Sequence, residues 1–275
     1  MASLAGLFDG YILDQWGVLH DGTRPYPGAP QCLQRLRAAG KRIVVLSNSS
    51  KRAGESLAAL ADMGFDTACI DRFVSAGEEA RSALQTNPLG ARCYAFTRAG
   101  DRKLLESIGL TFVARVEDAD FLAVVGSDAP HRLAVDYEQE LRAGIERRLP
   151  MVCANPDTAR FTPVGLTEAQ GVLALRYEAM GGTVFYHGKP HAPIYRVCLA
   201  ALACARERVI AIGDSVDHDV LGASRVGIAS ALIPGGVHAD ALGIAWGELP
   251  SEAKWQRFVA KAVARPDYLL AAFHW

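Results

Sequence analysis

The sequence predicts an α/β protein in which a parallel-sheet domain carries a second α/β domain inserted into it. Two observations predict this class. Several short apolar runs rich in β-branched residues end abruptly in small or polar residues, as buried parallel strands do. Segments with helical spacing of apolar residues alternate with these runs, and this alternation is typical of a sheet covered by helices.

The elements follow from these patterns in chain order. Strands are predicted at residues 11–13, 43–46, 121–125, 151–153 and 209–212. Helices are predicted at residues 29–39, which Gly40 closes, at 133–148, and from about 193 to just before 208. Beyond Pro250, apolar residues at helical spacing predict a packed amphipathic helix; they are Trp255, Phe258, Val259, Ala262 and Val263.

The length of 275 residues suits two domains. The segment 79–182 contains a strand–helix alternation of its own and lies between the predicted strand 43–46 and Lys189. We therefore expect one domain to consist of residues 1–78 and 183–275, with residues 79–182 inserted as a second domain.

Composition narrows the classes of partner. A formal net charge of -1 with interspersed acids and bases argues against nucleic acid or an anionic membrane as a partner. No apolar run reaches the ~20 residues of a membrane helix, and the N-terminus lacks the basic and apolar regions of a secretory signal. The six cysteines form no Cys-x-x-Cys pair, which fits a reducing compartment. We expect a cytoplasmic protein.

Three predicted strands end in residues that can bind a ligand or take part in catalysis. Asp14, Ser47 and Asp214 each lie at or just past the carboxyl end of a strand, where ligands bind in open parallel sheets. Each alone could simply form a turn, since Ser and Asp often do. Together with Lys189 in a Gly-Lys-Pro sequence, they suggest a site for Mg²⁺ and phosphate. In it the two carboxylates would hold the cation, and the lysine would offset their repulsion.

Four segments carry a resemblance to a known family. In order they are Tyr11-Ile-Leu-Asp14-Gln-Trp-Gly17, Ile43-Val-Val-Leu-Ser47-Asn48, His187-Gly-Lys189-Pro190 and Ile212-Gly-Asp214-Ser-Val-Asp-His-Asp219. The chain resembles class IIA of the haloacid dehalogenase-like (HAD) superfamily, which includes p-nitrophenyl phosphatases and sugar phosphatases. Asn155-Pro-Asp157-Thr also resembles a feature of that class. The resemblance implies a Rossmann-like core and an inserted α/β cap of the C2 type that closes over the site.

The resemblance also implies roles at matching positions. Asp14 would be the nucleophile, Ser47 and Asn48 would bind substrate, and Lys189 would steady both the nucleophile and the phosphate.

By the same resemblance, Mg²⁺ would be held by Asp14, Asp214 and the backbone carbonyl of Trp16. Asp219 would support the metal shell or the lysine, and Asp217 is its rival for that role.

One position departs from the family pattern. The phosphatases of the family carry a second Asp two residues after the nucleophile, which protonates the leaving group; here that residue is Trp16, whose indole has no titratable proton near neutral pH. His20 and Asp21 follow closely and could replace the acid, although we expect both to be exposed loop residues.

These observations predict a Mg²⁺-dependent hydrolase that acts on a small phosphorylated metabolite through an aspartyl-phosphate, with weak activity on alkyl phosphates. Two alternatives stay open. The first is a non-catalytic protein that binds phosphometabolites, which Trp16 also fits. The second is a dehalogenase-type C–X hydrolase, because an aromatic residue occurs at this position in the dehalogenase branch. The resemblance further allows a homodimer, because cap-mediated dimers occur in the class.

Overall fold

The computed structural model describes residues 1–162 and 165–275. It divides into two compact units. The core unit comprises Met1–Ser47, Ala53–Val74 and Lys189–Trp275, and the inserted unit comprises Asn48–Arg52 and Ser75–Gly188. The domain limits predicted above stay a prediction. Among the described residues, no helix is both long enough and apolar enough to cross a membrane.

Strands occur in both units. In chain order they are β1 (Gly10–Asp14), β2 (Arg42–Ser47), β3 (Arg72–Ser75), β4 (Arg92–Phe96), β5 (Thr111–Phe112), β6 (Phe121–Val124), β7 (Met151–Cys153), β8 (Ala159–Thr162), β9 (Gly165–Glu168), β10 (Val184–Tyr186), β11 (Val209–Gly213), β12 (Ala229–Leu232) and β13 (Tyr268–Leu269).

Helices separate most of these strands. They are α1 (Ala2–Ala5), α2 (Ala29–Ala38), α3 (Ala53–Asp62), α4 (Ala76–Thr86), α5 (Glu138–Glu146), α6 (Gly171–Ala179), α7 (Ala192–Leu202), α8 (Leu221–Val226), α9 (Ala239–Leu242) and α10 (Glu252–Val259). A π-helical turn, Val216–Val220, leads directly into α8.

The core unit is built on a sheet with strand order β13-β12-β11-β1-β2-β3. Strand β1 lies between β11 and β2 and pairs with both in parallel. All five residues of β1 are buried, because a strand covered on both faces has no solvent side. This position brings the carboxyl ends of β11, β1 and β2 next to one another.

The inserted unit has its own sheet, with order β10-β7-β6-β4-β5 and parallel pairing throughout. Strands β8 and β9 form a separate antiparallel pair. Buried apolar side chains pack on both sides of the five-stranded sheet, including Leu122 and Tyr177 in one cluster and Phe121 and Val152 in another. Both units thus have the parallel α/β architecture that the alternating pattern predicts.

Three predicted helices are shorter than expected. The helix predicted at residues 133–148 is α5, Glu138–Glu146, and a 3-10 turn at Ala134–Tyr137 precedes it. Helix α7 ends at Leu202, because Ala203 adopts a left-handed conformation (φ 51°) and its N–H bonds back to Leu199. In the C-terminal region, α10 ends at Val259. Trp255 is buried as predicted, but Val263 lies beyond the helix and is 61% exposed, so its predicted packing is wrong.

Candidate active site

The strand register brings the predicted residues to one edge of the core sheet. Asp14 pairs with Leu46, so Ser47 lies one residue further along β2. Leu13 pairs with Ile212, which places Asp214 two residues beyond that pair, just past the end of β11. All three polar residues are buried: Asp14 and Ser47 are the last residues of their strands, and Asp214 directly follows β11. The edge therefore concentrates polar groups where the strands end.

Lys189 links two of the acids. Its Nζ lies 2.7 Å from Asp14 Oδ1 and 2.8 Å from Asp219 Oδ1, and all three side chains are buried. The Gln15 N–H also donates to Asp14 Oδ1, at 2.7 Å. Because both of these donors bond to the same oxygen, they fix the orientation of the Asp14 carboxylate through Oδ1.

Asp219 can reach this lysine because Gly213 has no side chain. A Cβ at position 213 would overlap the Asp219 carboxylate. The second oxygen, Asp219 Oδ2, accepts from the Ser215 N–H at 3.2 Å. Asp217, the alternative for this role, is exposed. The structure therefore places Asp219, rather than Asp217, beside Lys189.

Asp214 is enclosed by backbone. The Val237 N–H donates to Asp214 Oδ2 at 2.9 Å, and a Cβ at either Gly17 or Gly236 would overlap that same carboxylate. Gly17 also has a φ of 77°, a conformation that L side chains rarely adopt. A glycine pair such as the one at 235–236 by itself indicates only a turn. Its position just after β12, the neighbour of β11, is the signal that could have linked it to Asp214.

The acids form a cluster suited to a cation. Carboxylate oxygens of Asp14, Asp214 and Asp219 all lie within 4.8 Å of one another. Burial, followed by repulsion from Asp219, raises the pKa of Asp214 to about 7. Burial also raises the pKa of Asp14, and the Lys189 charge only partly opposes this. Three carboxylates beside one ammonium leave an excess of negative charge, which a divalent cation with a preference for oxygen ligands would offset.

For Lys189, attraction to nearby charges outweighs the effect of burial on the pKa. Burial by itself would lower its pKa, but attraction to Asp14 and Asp219 outweighs burial and raises it. Lys189 therefore stays charged at neutral pH and supplies a fixed positive charge beside Asp14.

Asn48 contacts a different part of the chain. Its Nδ2 donates to Asp157 Oδ1 at 2.7 Å, within the inserted unit. Asn155 Oδ1 in turn accepts from the Asp157 N–H at 2.8 Å. The Asn155-Pro-Asp157 sequence thus forms a local turn that presents Asp157 to Asn48. The substrate contact predicted for Asn48 stays a prediction.

Trp16 stands two residues after Asp14 with its side chain 55% exposed. The indole covers Gly22, where a Cβ would overlap the ring, and meets His20 edge-on with centroids 5.3 Å apart. The loop is closed by the Gly17 N–H, which donates to the His20 carbonyl at 3.1 Å. One side of the ring therefore packs on its own loop, and the rest is exposed.

The structure corrects the expectation for His20, which is 1% exposed, whereas Asp21 is exposed as predicted. His20 Nδ1 accepts from the Gly22 N–H at 2.8 Å, and burial lowers the pKa of its ring. Asp21 accepts bonds from Thr23 and Arg24, which lower its pKa. Near neutral pH, His20 is neutral and Asp21 is ionised, so neither is an acid ready to replace the missing one.

Comparisons with known proteins find matches in both the N-terminal and the C-terminal part of the chain. Residues 11–111 match a family model described as haloacid dehalogenase-like hydrolase, and residues 186–266 match one described as HAD-hydrolase-like. The dihydroxyacetone phosphatase of Corynebacterium glutamicum is 27% identical over 234 residues, which cover 84% of this chain and 82% of that protein.

Solved structures extend the similarity to the whole chain. A haloacid dehalogenase-like hydrolase from Brucella suis 1330 is 29% identical, with a TM-score of 0.81 and coverage of 99% of this chain and 98% of that chain. A glycerol phosphate phosphatase from Mycobacterium tuberculosis in complex with magnesium gives a TM-score of 0.71 at 24% identity, over 98% of this chain and 76% of that chain. At that identity the second match shows a shared fold.

Proposed function

We infer the function of this chain from its family, because it belongs to the haloacid dehalogenase-like hydrolases. Its relatives are named phosphatases, and the chain is a phosphoric monoester hydrolase that acts on small phosphorylated substrates. We further propose that it uses Mg²⁺ and a phosphoenzyme formed on Asp14. The observation that supports this most is the buried cluster of Asp14, Asp214 and Asp219 with Lys189 beside it.

In the proposed reaction the Asp14 carboxylate attacks the phosphorus atom. A bond forms between a carboxylate oxygen and phosphorus, and the bond from phosphorus to the leaving oxygen breaks. Water then attacks the aspartyl-phosphate, which releases inorganic phosphate and restores Asp14. Lys189 and Ser47 would hold phosphate oxygens, and Lys189 would also orient the nucleophile through its 2.7 Å contact with Asp14.

Mg²⁺ would be held by Asp14, Asp214 and the Trp16 carbonyl, and would offset the negative charge of the phosphate. Asp219 has one oxygen bonded to Lys189 and the other to the Ser215 N–H. We therefore assign Asp219 the role of positioning Lys189. The magnesium complex of the glycerol phosphate phosphatase with the same fold supports the choice of metal.

Trp16 makes the proposed activity selective for the leaving group. An alkyl phosphate loses a strongly basic alkoxide that needs a proton, whereas an aryl phosphate loses a stable aryloxide. Since Trp16 has no titratable proton, and neither His20 nor Asp21 is an acid ready to donate one, we expect aryl and acyl phosphates to be turned over best.

The first test replaces the proposed nucleophile. With Mg²⁺ and p-nitrophenyl phosphate, Asp14→Asn should lower kcat by at least 10³-fold, because the amide cannot form the phosphoenzyme. Asp217→Asn is the matched control: it removes an exposed carboxylate in the turn that follows Asp214 and should keep near-parental activity. Activity that persists in Asp14→Asn would contradict the mechanism.

A second candidate function has one observation in its favour. The Trp16 side chain stands where the acid is expected, so the protein could bind phosphometabolites without turning them over. Calorimetry that detects binding of a phosphate ester, with no phosphate release from aryl, acyl or alkyl esters, would favour this function over hydrolysis.

A further inference from the structure

The core unit contains a second concave site beside α10. Its cavity of about 670 Å³ is lined by residues of α9, α10 and the following turn, together with Val216, Asp217 and His238. Asp14, Ser47 and Lys189 are not among its lining residues. It is an open depression rather than an enclosed pocket, and its volume is similar to that of small-molecule sites. We call it the α10 cavity.

The α10 cavity has an apolar wall. Phe258, Ala262 and Val263 line it with partly or fully exposed apolar side chains, whereas the lining residues Val216 and Leu242 are almost fully buried. An apolar surface of this kind favours a ligand that brings an apolar body of its own, since both surfaces leave water when they meet.

Three cations face the same cavity. Lys254, Arg257 and Lys261 line it at spacings of three and four residues, which put them on one side of α10 and its last turn. Lys254 Nζ donates to the Gly243 carbonyl at 3.1 Å, and Arg257 Nε to the Ala253 carbonyl at 3.1 Å. These bonds to neutral carbonyls do not cancel the positive charges.

The cationic charge is not balanced by ion pairs. In the part of the chain that the structure describes, none of the three cations lies within 4.0 Å of a carboxylate oxygen. Two carboxylates, Asp217 and Asp240, also line the cavity, so cations outnumber acids there. Like charges at helical spacing repel one another, and an anionic ligand would relieve that repulsion.

The cavity wall is continuous with the loop that holds Asp214. His238 Nε2 accepts from the Val216 N–H at 3.0 Å, and its ring meets Phe258 edge-on with centroids 4.8 Å apart. The residue before it, Val237, donates its N–H to Asp214. A ligand that shifts Phe258 or His238 would therefore act on both backbone segments next to Asp214.

We propose that the α10 cavity binds a small organic anion with an apolar body, and that its occupancy changes the affinity of the Asp214 site for Mg²⁺. The charged head would lie against Arg257 and Lys261, and the apolar body against Phe258 and Val263. The binding part stands apart from the proposed function, whereas the coupling part rests on the proposed metal role of Asp214.

Binding can be tested with 8-anilinonaphthalene-1-sulfonate (ANS), an aromatic sulfonate that is not a phosphate ester. Calorimetric titration of the whole protein should give one site, and Arg257→Ala/Lys261→Ala should weaken it by about tenfold or more. Arg72→Ala/Arg265→Ala removes the same charge from exposed positions outside the cavity lining and should bind like the parent. Asp14→Asn should also bind ANS normally.

Equal affinity in the parent and in Arg257→Ala/Lys261→Ala would overturn the site, as would equal weakening in the Arg72→Ala/Arg265→Ala control. Circular dichroism of each variant shows whether it is folded. Two single variants, Phe258→Leu and Val263→Ser, keep the charges and test the apolar wall. Each should weaken the binding of ANS severalfold.

Coupling is tested by titrating Mg²⁺ calorimetrically with and without saturating ANS. The Mg²⁺ Kd should change by at least threefold in the parent and stay constant in Arg257→Ala/Lys261→Ala, and Mg²⁺ should shift the ANS Kd by the same factor. An unchanged Kd in the parent would overturn the coupling. If no Mg²⁺ binds under any condition, the proposed metal role fails together with the coupling, while the ANS result still decides whether the cavity binds anions.

Discussion

At the scale of single residues, Trp16 is the position at which the proposed mechanism lacks a proton donor. Its ring lies over Gly22 and against His20, so it packs on its own loop. Its backbone carbonyl still suits a metal ligand, while its side chain has no acid. In the proposed mechanism Trp16 would thus contribute a metal ligand through its backbone, while its side chain would not donate a proton to the leaving group.

This lack of a proton donor predicts a gain of function. Trp16→Asp should raise kcat/KM for an alkyl phosphate such as glycerol phosphate by tenfold or more, because general acid catalysis is typically worth about 10² to 10⁴ in rate. Activity on p-nitrophenyl phosphate should change much less, since its leaving group departs without a proton. The measurement is kcat/KM on both substrates, with Trp16→Phe as the control that removes the indole without adding an acid. Equal gains in both variants, or no gain in Trp16→Asp, would contradict the role assigned to the missing acid.

At the scale of elements, the end of β11 determines how Lys189 is held. Gly213 is the last residue of the strand, and the Asp219 carboxylate occupies the space that a side chain there would fill. The π-helical turn after the strand brings Asp219 back to this point. The geometry of the ion pair is thus set by one missing Cβ and one irregular turn.

Gly213→Ala should therefore displace Asp219 and loosen Lys189. We expect kcat to fall at least tenfold and the free energy of unfolding to drop by about 1–3 kcal/mol, as overpacking typically costs. Gly54→Ala is the control, because Gly54 is exposed in α3 and its added Cβ would meet no atom within 4 Å. Helix propensity predicts that this control gains about 0.5–1 kcal/mol. Urea unfolding and steady-state kinetics measure both effects, and a fully active Gly213→Ala would refute the role of this contact.

Some elements and site contacts could be predicted from the sequence, and others could not. The predicted fold class is confirmed. It could be predicted because buried parallel strands have a characteristic composition and spacing in the sequence. The convergence of Asp14, Ser47 and Asp214 follows from strand ends at one edge of a sheet. The Val237 N–H bond to Asp214 and the burial of His20 depend on how loops fold back, and backbone donors leave no mark in a sequence. The end of α7 depends on one left-handed alanine, which propensity disfavours.

At the scale of the whole molecule, the buried cluster of acids should lower stability, and a bound cation would relieve this effect. Three buried carboxylates repel one another. Lys189 contacts two of them, but its single positive charge offsets only one negative charge. Protonation is the other way to relieve this repulsion, which is why the pKa of Asp214 rises to about 7. The stability of the protein should therefore depend jointly on Mg²⁺ and on pH.

Without Mg²⁺, folded Asp214 holds a proton that the unfolded chain, in which this carboxyl has its ordinary pKa of 3.8, has already released. The folded state binds more protons in the window from about 4 to 7, so its free energy of unfolding should fall as pH rises through that window. Mg²⁺ binds the ionised acid and must displace this proton. Because the pKa of Asp14, the other proposed carboxylate ligand, is also raised, the affinity for Mg²⁺ should rise with pH as the two carboxyls ionise.

Thermal unfolding with Mg²⁺ or EDTA between pH 5 and pH 8 measures both effects. At pH 8 and about 100 times the Kd, Mg²⁺ should stabilise the fold by about 2.7 kcal/mol and raise Tm, whereas at pH 5 the same concentration should have little effect. Asp214→Asn should lose the Mg²⁺-dependent rise in Tm, and Asp217→Asn should keep it, since only the first removes a carboxylate of the buried cluster. A rise in Tm of equal size at pH 5 and pH 8, or one that survives in Asp214→Asn, would show that Mg²⁺ does not bind through this acid.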